Sequence, residues 1–373
     1  METLFANIFE IQWQQVVMWL IGGLLIYLAI KKDMEPTLLL PIGFGAILVN
    51  LPLSGAVNQI FDGVTEYGAI DTLFQAGIAN ELFPLLLFIG IGAMIDFGPL
   101  LSNPKMLLFG AAAQFGIFFT LSVASLFGFD LKDAASIAII GAADGPTSIF
   151  VANFFNSNYI GAIIVAAYSY MALVPIVQPP VIRLITTKKE RLIRMPYAQT
   201  SVSRTTRILF PVIITVIAGI IAPKSVSLIG FLMFGNLIRE CGVLNSLSDS
   251  AQNQLANLIT LLLGLTISTK MQAAQFLTPQ TLLIMCLGLV AFVFDTVGGV
   301  FFAKFINLFT KNKVNPMIGA AGISAFPMSA RVIHKMGLKE DPNNFLLMHA
   351  VGANVSGQIA SVIAGGLIIA LIV

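Results

Sequence analysis

The stretch Gly141-Ala-Ala-Asp144-Gly-Pro-Thr147-Ser148 places a carboxylate between two apolar runs, Ile137–Ile140 and Ile149–Val151. A charged side chain at the centre of a bilayer costs about 2.5–3.5 kcal/mol on insertion scales, and such residues usually serve a function. The glycine and proline after Asp144 interrupt a helix and free backbone carbonyl groups at this depth. With the two hydroxyls that follow, the segment offers the oxygen ligands that a hard cation such as Na⁺ prefers. The alternative is that Asp144 only caps a half-helix.

The composition of the whole chain is typical of a membrane protein. Hydrophobic residues make up 57% of the 373 residues and charged residues 10%, whereas soluble proteins contain about 25% charged residues. A chain this apolar cannot bury its side chains in one soluble core, so lipid must solvate much of its surface. The net charge of +2 excludes the basic surface typical of nucleic-acid binding. Two cysteines and two histidines predict neither a disulfide framework nor a histidine-rich metal centre.

The order of charges at the N-terminus predicts that the first span is retained. Only Glu2 and Glu10 precede the first apolar run, and the first cations, Lys31 and Lys32, follow it. A cleavable signal peptide has the opposite order, with its cations before the apolar run. We therefore expect an uncleaved first span whose N-terminus faces the outside.

Apolar stretches of spanning length recur along the chain. Two further stretches, Ala134–Phe155 and Pro316–Ala330, are interrupted by glycine and proline. The sequence therefore predicts an all-α polytopic membrane protein with about ten spanning helices and two re-entrant broken hairpins, at residues 134–155 and 316–330. The predicted spans are Gln14–Ile30, Pro36–Leu51, Leu82–Ile95, Met106–Phe127, Tyr159–Ile185, Ile208–Ala222, Ser225–Ile238, Leu255–Ser268, Thr281–Phe309 and Phe345–Val373.

The two halves of the chain resemble each other. Ile42-Gly-Phe-Gly45 recurs as Ile229-Gly-Phe-Leu232, and Ile140-Gly-Ala-Ala-Asp144 recurs as Ile318-Gly-Ala-Ala-Gly322. A short span that ends before a proline recurs in the same order, which indicates a duplication. The predicted units are residues 1–185 with the first hairpin, a basic cytoplasmic linker at residues 186–207, and residues 208–373 with the second hairpin.

The cations predict an orientation, because cytoplasmic loops are enriched in Lys and Arg. The linker is expected in the cytoplasm, and the acidic segment Ser54–Glu81, which contains no cation, outside. The first hairpin then enters and leaves on the outer side, whereas cations on both sides of the second hairpin place its entry in the cytoplasm. Similar halves of opposite orientation form an inverted repeat, and matching broken segments in such repeats indicate a transport site near the membrane midplane.

Polar residues punctuate the second hairpin, which reads Asn315-Pro-Met-Ile-Gly319-Ala-Ala-Gly-Ile-Ser324 and closes at Arg331. The planar guanidinium of Arg331 fits an anion such as a carboxylate. Alternatively, this arginine is a cytoplasmic anchor whose side chain reaches the lipid headgroups. The spacing alone leaves both interpretations open.

Three more residues inside apolar runs have two interpretations each. Asn354 is a candidate cation ligand, or it hydrogen-bonds a neighbouring helix. Tyr170 is more typical of packing than of proton donation when only its surroundings in the sequence are considered. Asp295 is a second buried acid with an ionic role, unless a pair with Lys304 or interior hydrogen bonds explain it.

Three motifs resemble a known family. They are Gly141–Ser148, Asn315–Ser324 and Met348-His-Ala-Val-Gly-Ala-Asn354-Val-Ser-Gly357. These segments are similar to the β subunits of sodium-translocating, biotin-dependent decarboxylases. That group comprises the oxaloacetate, methylmalonyl-CoA, glutaconyl-CoA and malonate enzymes, and the likeness extends over essentially the whole chain.

The resemblance implies a function and a set of partners. A carboxyltransferase α subunit moves CO₂ from the acyl substrate to biotin on a carrier protein. The β subunit then decarboxylates carboxybiotin and couples this reaction to Na⁺ export, with proton uptake from the outer side. The family also implies a bacterial inner-membrane location, a small single-span membrane subunit, a β homotrimer and an elevator-like movement. The alternative is a secondary Na⁺-coupled carboxylate transporter, which would share the inverted repeat and the buried cation site.

The resemblance also implies roles for individual residues, and it gives Tyr170 a role beyond packing. The catalytic residues implied are Asp144, Tyr170, Ser324 and Arg331. The residues implied in carboxybiotin binding are Arg331, Asn315 and Gly319. The Na⁺ ligands implied are Asp144, Asn354, Ser324 and Thr147.

Overall fold

The computed structural model describes residues 10–61, 63–196 and 202–372, and this part of the chain is predominantly α-helical. The predicted outer N-terminus, Asp62 of the acidic segment and residues 197–201 of the linker fall outside the described residues. The outer ends of the predicted units, at residues 1 and 373, also fall outside them, and the division into units stays a prediction.

The first half contains helices α1 to α10 and one β-hairpin. The strands β1 (Gln59–Phe61) and β2 (Val64–Glu66) pair antiparallel and turn at Gly63, whose φ of 79° suits glycine. This hairpin corrects the prediction of an all-α chain. Extended backbone is favoured there because the acidic segment is short of good helix formers and contains β-branched residues. The helices are Trp13–Lys32, Pro36–Val49, Ala69–Phe74, Leu82–Met94, Gly98–Ser102, Leu107–Ala113, Phe115–Leu126, Leu131–Ala138, Gly145–Phe154 and Ile160–Ile185.

The second half contains helices α11 to α20, of which α17 is the longest at 31 residues. Short 3₁₀ or π turns join several neighbouring helices, as at Ser250–Leu255 before α15 and Ser268–Met271 after it. The helices are Lys188–Arg191, Arg204–Ile221, Val226–Glu240, Asn245–Asp249, Ala256–Ile267, Ala273–Phe276, Pro279–Phe309, Met317–Ala320, Met328–Glu340 and Leu347–Ile372.

Six helical stretches of the described residues are long and apolar enough to cross a membrane, or up to seven if one bent pair counts as a span. The six are Trp13–Lys32, Pro104–Leu126, Ile160–Ile185, Arg204–Ile221, Pro279–Phe309 and Leu347–Ile372. Six of the predicted spans correspond to them. The other predicted spans form the shorter helices α2, α4, α13 and α15, which have 12 to 15 residues. These lengths fall below the roughly 20 residues that a full crossing needs, so the count of about ten spans stays a prediction.

The first predicted hairpin is broken where its sequence indicates. Helix α8 (Leu131–Ala138) continues as a 3₁₀ turn to Ala142, and Ala143 then adopts a left-handed backbone with φ of 50°. Asp144 is extended, and α9 (Gly145–Phe154) begins directly after it. Pro146 fits in the first turn of α9, where a missing N–H costs no helical hydrogen bond.

The second predicted hairpin is also broken, but its second limb is longer than predicted. After the short α18 (Met317–Ala320), the backbone leaves helical geometry until α19 begins at Met328. Helix α19 then continues to Glu340, ten residues beyond the predicted end at Ala330. The apolar pattern did not predict this extension, because the added residues include Arg331, Lys335 and Lys339 on one face of the helix.

Both broken segments lie in the interior of the molecule. Every residue from Asp133 to Ala152 is buried, and so is every residue from Asn315 to Ala325. The two segments meet where each is broken, because the N–H of Ser324 donates to the carbonyl oxygen of Ala142 at 3.1 Å. The fold therefore brings the two Gly-Ala-Ala motifs, which are far apart in the sequence, to one place.

Helices α17 and α18 pack backbone against backbone. A Cβ placed on Gly319 would lie 1.9 Å from the carbonyl oxygen of Gly299, and one placed on Gly299 would lie 2.1 Å from the carbonyl oxygen of Gly319. Only glycine tolerates this approach at both positions, since a backbone carbonyl cannot rotate away as a flexible side chain can. The second broken segment is thereby held tightly against the longest helix.

Candidate functional site

Asp144 lies at the N-terminus of α9 and is 3% exposed. Its Oδ1 accepts the backbone N–H of Thr147 at 3.5 Å, and its Oδ2 accepts the hydroxyl of Thr147 at 2.7 Å. The carboxylate therefore does cap the half-helix, as the alternative interpretation held, and the positive end of the helix dipole favours a negative charge there. Capping does not exclude a ligand, because each carboxylate oxygen has more than one lone pair.

The last helix supplies a second hydroxyl to the same carboxylate. Ser361 of α20 donates to Oδ2 of Asp144 at 2.9 Å and is fully buried. Ser361 was not predicted from the sequence. The available signal was its position, because Asn354, Gln358 and Ser361 follow one another at the spacing of a single helix face. This polar face of α20 is directed at the two broken segments.

The same face of α20 binds the second broken segment. The side-chain amide of Asn354 donates to the carbonyl oxygen of Ile323 at 2.6 Å, and that of Gln358 donates to the carbonyl oxygen of Ser324. The hydroxyl of Ser324 in turn donates to the carbonyl oxygen of Gly357 at 2.9 Å. Within the described residues, the amide oxygens of Asn354 and Gln358 are buried without a hydrogen-bond partner. Buried polar atoms are rarely left unpaired, so these two oxygens are available to a ligand.

The donor set defines what the site can hold. One carboxylate, the hydroxyls of Thr147 and Ser361, and the amide oxygens of Asn354 and Gln358 are hard oxygen ligands, which suit Na⁺. Within the described part of the chain, no group of three or more His, Cys, Asp or Glu residues is arranged to hold a metal ion. A single carboxylate among neutral oxygens is a donor set whose charge matches that of a monovalent cation.

The structure does not bring the hydroxyl of Tyr170 to Asp144. Tyr170 is buried in α10, and its hydroxyl donates to the carbonyl oxygen of Met285 in α17. The neighbouring Tyr168 is closer to the carboxylate, because a Cβ placed on Gly145 would lie 2.2 Å from Cζ of its ring. In the conformation described, Tyr170 joins α10 to α17 and Tyr168 packs on the first turn of α9.

Asn315 and Gly319 make structural contacts. The side-chain amide of Asn315 donates to the carbonyl oxygens of Arg191 and Ile193, both at 2.9 Å, and its oxygen accepts the N–H of Met317 at 3.1 Å. Gly319 forms the close backbone contact with Gly299 described above. These contacts fix the linker and α18 to each other, and they use the whole side chain of Asn315.

Arg331 lies in the first turn of α19 and is exposed. Within the described residues it forms no ion pair, whereas Arg191 and Arg194 pair with Glu340 and Asp341 at 2.8 and 2.6 Å. Burial raises the pKa of Glu35, in the loop before α2, and the charge of Arg331 opposes this rise. The guanidinium is therefore near the loop between α1 and α2 and is free to bind an anion.

The apolar helices of spanning length and the buried carboxylate between broken segments define a multi-pass helical membrane protein with a polar site in its interior. A sequence model of the family described as "Na+-transporting oxaloacetate decarboxylase beta subunit" matches residues 14–372. The chain belongs to this family.

Similar proteins match nearly the full length of the chain. Glutaconyl-CoA decarboxylase subunit beta of Acidaminococcus fermentans is 50% identical over 360 residues, which cover 96% of this chain and 94% of that protein. Methylmalonyl-CoA decarboxylase subunit beta of Veillonella parvula is 48% identical over 356 residues, with coverage of 95% and 92%. The probable oxaloacetate decarboxylase beta chain of Vibrio cholerae is 44% identical over 418 residues, with coverage of 97% and 96%. The resemblance seen in the three motifs is confirmed.

Proposed function

We propose that this chain is the membrane subunit of a primary sodium pump, which decarboxylates carboxybiotin and couples the reaction to Na⁺ export with proton uptake from the outer side. The observation that carries the proposal is the carboxylate of Asp144, buried where the two broken segments meet and surrounded by neutral oxygens. Na⁺ is the transported substrate at this site. Its ligands are Asp144, Thr147, Ser324 and Asn354, as the sequence analysis expected, together with Ser361 and the oxygen of Gln358.

The contacts at the ends of the two segments support a re-entrant course for each. Asp133 lies at one end of the first segment, and Ser157 and Asn158 lie at the other. Asp133 accepts hydrogen bonds from the hydroxyl of Ser157 at 2.6 Å and from the backbone N–H of Asn158 at 3.2 Å. At the two ends of the second segment, Asn315 and Asn344 both donate to the carbonyl oxygen of Arg191. Each segment thus returns to the level at which it started. We infer from this that residues 1–185 and 208–373 form an inverted repeat joined by the linker.

The inverted repeat predicts that the ends of the two segments lie on opposite faces of the membrane. In a chain whose native cysteines are replaced by serine, Asn158→Cys and Asn343→Cys provide exposed thiols at the two places. In intact cells, a membrane-impermeant maleimide is expected to label the cysteine at 158 and to leave that at 343 unlabelled until the membrane is opened. Labelling of both sites from one face would contradict the inverted repeat.

The cytoplasmic face has features suited to a carboxylated cofactor. A cavity of about 1140 Å³ opens between the linker and the end of α17, and Lys105, Lys311 and Lys313 are among its lining residues. Arg331 is not among the residues that line this cavity, but it forms no ion pair within the described residues, and its planar fork fits a carboxylate. We propose that Arg331 binds the carboxyl group of carboxybiotin. Asn315 and Gly319 then shape the segment that receives it, and Ser324 and Tyr170 act in the reaction that follows.

The proposed reaction needs partner proteins that load and present carboxybiotin. A biotin carrier protein presents carboxybiotin, and a carboxyltransferase α subunit loads it. A small single-span membrane subunit and two further copies of this chain complete the assembly in a bacterial inner membrane, where the core moves in an elevator-like manner. Family membership supports these assignments, because the similar proteins are named as β subunits or chains of decarboxylases.

Transport driven by a chemical reaction tests the proposal directly. The protein is reconstituted in lipid vesicles with its cytoplasmic face outward, and free carboxybiotin is added outside. We expect ²²Na⁺ to accumulate in the vesicles while CO₂ is released, and CO₂ release to fall when Na⁺ is removed. A secondary Na⁺-coupled carboxylate transporter would instead take up ²²Na⁺ in response to a carboxylate gradient, with no release of CO₂.

A further inference from the structure

A second acid is buried in the membrane region, away from Asp144. Asp295 lies in the middle of α17 and has no exposed surface. Its Oδ1 accepts the backbone N–H of Ile117 at 3.1 Å, and the backbone N–H of Gly116 is also directed at the carboxyl group. These groups begin helix α7, directly after the spanning helix breaks at Gln114. One oxygen of Asp295 therefore caps a helix that has no capping side chain of its own.

The second oxygen of Asp295 faces the first broken segment. A Cβ placed on Gly141 would lie 2.8 Å from Oδ2, and one placed on Gly116 would lie 2.6 Å from Oδ1. The carboxyl group is thus enclosed between two glycines, one in α7 and one in the 3₁₀ turn that leads to Asp144. Within the described residues, Oδ2 has no hydrogen-bond partner.

Within the part of the chain that the structure describes, no cation forms an ion pair with Asp295. The pair with Lys304 that the sequence suggested is wrong, because Lys304 binds Glu190 at 3.0 Å. The helices that pack on α17 present few titratable side chains, and none forms an ion pair with Asp295 in the described part of the chain. Those side chains are Lys132 and Asp133 of α8, Tyr168, Tyr170 and Arg183 of α10, and Asp144 after the 3₁₀ turn.

An ionised carboxyl group without a counter-charge is strongly unfavourable in such surroundings, and a group in this position takes up a cation or a proton. The hydrogen bond from Ile117 to Oδ1 can form with either the ionised or the protonated carboxyl group, so the charge state depends on what reaches Oδ2. The close approach of Gly141 leaves room at Oδ2 for a proton. We propose that Asp295 is a second proton-binding site, protonated on Oδ2 when the first broken segment lies against α17.

This site differs from Asp144 in a way that separates their roles. Both oxygens of Asp144 accept hydrogen bonds from donors, whereas Oδ2 of Asp295 accepts none within the described residues and lies next to the backbone at Gly141. A displacement of the first segment would uncover Oδ2 and allow its proton to exchange. The position of this segment and the protonation of Asp295 are therefore coupled, whether or not the protein decarboxylates carboxybiotin.

The carboxyl ¹³C resonance tests this proposal, because its chemical shift distinguishes a protonated from an ionised aspartate. The protein is labelled at aspartate Cγ, embedded in lipid bilayers and observed by solid-state NMR at neutral pH. The signal of Asp295, identified by its loss in Asp295→Asn, is expected at the protonated position. Asp341 serves as the ionised reference, since the hydrogen bond from Arg194 holds the pKa of its carboxyl group below the ordinary value.

Two outcomes decide the matter. A signal of Asp295 at the ionised position of Asp341 would overturn the proposal. If Asp295→Asn does not fold, Asp295→Glu makes the same assignment, because it also removes the labelled aspartate while it keeps an acid in α17. The spectrum requires no turnover, so its result is independent of the sodium-pump proposal.

Discussion

Asp144→Asn is expected to lower Na⁺ transport and Na⁺-dependent decarboxylation of carboxybiotin together, by at least about 100-fold. Replacing a residue that only supports a metal ligand already costs up to about 100-fold in affinity or activity, so loss of the ligand itself should cost at least as much. Asparagine keeps the shape of the side chain but removes the charge, and its amide group donates where the carboxylate accepts from Thr147 and Ser361. Both hydroxyls can rotate to accept instead, so the variant is expected to fold. ²²Na⁺ uptake and CO₂ release in the same vesicles measure the effect.

Asp133→Asn is the matched control for this variant. Asp133 is also buried in the first broken segment and also accepts hydrogen bonds from a hydroxyl and a backbone N–H, but at the outer ends of the segment. Its replacement is expected to lower stability by about 1–3 kcal/mol and to change Na⁺ affinity little. Asp144→Glu is expected to retain a weakened Na⁺ dependence, because the ligand is displaced and not removed. Ordinary Na⁺ affinity in Asp144→Asn would place the transport site elsewhere.

Gly319→Ala is expected to lower the thermal stability of the purified protein, by about 1–3 kcal/mol or more, with a parallel loss of turnover. The added Cβ would lie 1.9 Å from the carbonyl oxygen of Gly299, and the helices α17 and α18 must separate to accept it. Gly299→Ala is expected to have the same effect, because it removes the same contact from the other side. Thermal unfolding in detergent measures the change in both variants.

Gly23→Ala is the control for the glycine substitutions. A Cβ on Gly23 meets nothing within 4 Å, and the residue lies in the interior of α1. Alanine there is expected to leave stability unchanged or to raise it by up to about 1 kcal/mol. Native stability in both Gly319→Ala and Gly299→Ala would refute the packing argument. Loss of turnover in Gly319→Ala alone, at native stability, would assign this glycine to substrate binding.

The sequence predicts the helix break and the cap at Asp144 well because its signals are local. A glycine, a proline and a hydroxyl directly after the acid define both the helix break and the cap. Ser361 was not predicted because 217 positions separate it from Asp144, and no local pattern encodes that pairing. The free oxygen of Gln358 was missed for the same reason. What the sequence does contain is their spacing along one face of α20.

Helix lengths and breaks were predicted less well where tertiary contacts determine them. The break at Gln114 lies within a continuous apolar run, and the acid that caps the following helix, Asp295, is 178 positions away. The extension of α19 beyond Ala330 was not predicted because the apolar run ends there. The helix itself continues through charged, partly exposed residues to Glu340. Pairing with a distant partner, not local propensity, sets these boundaries.

The carbonyl oxygen of Arg191 accepts an amide from Asn315 and another from Asn344, which belong to the two ends of the second broken segment. Because both bonds end on one backbone atom, a shift of this segment as a body would break them or move the residues around Arg191 with it. The residues after α10 are thereby joined to a buried segment whose middle bonds to Ala142, so a displacement of one is expected to displace the other.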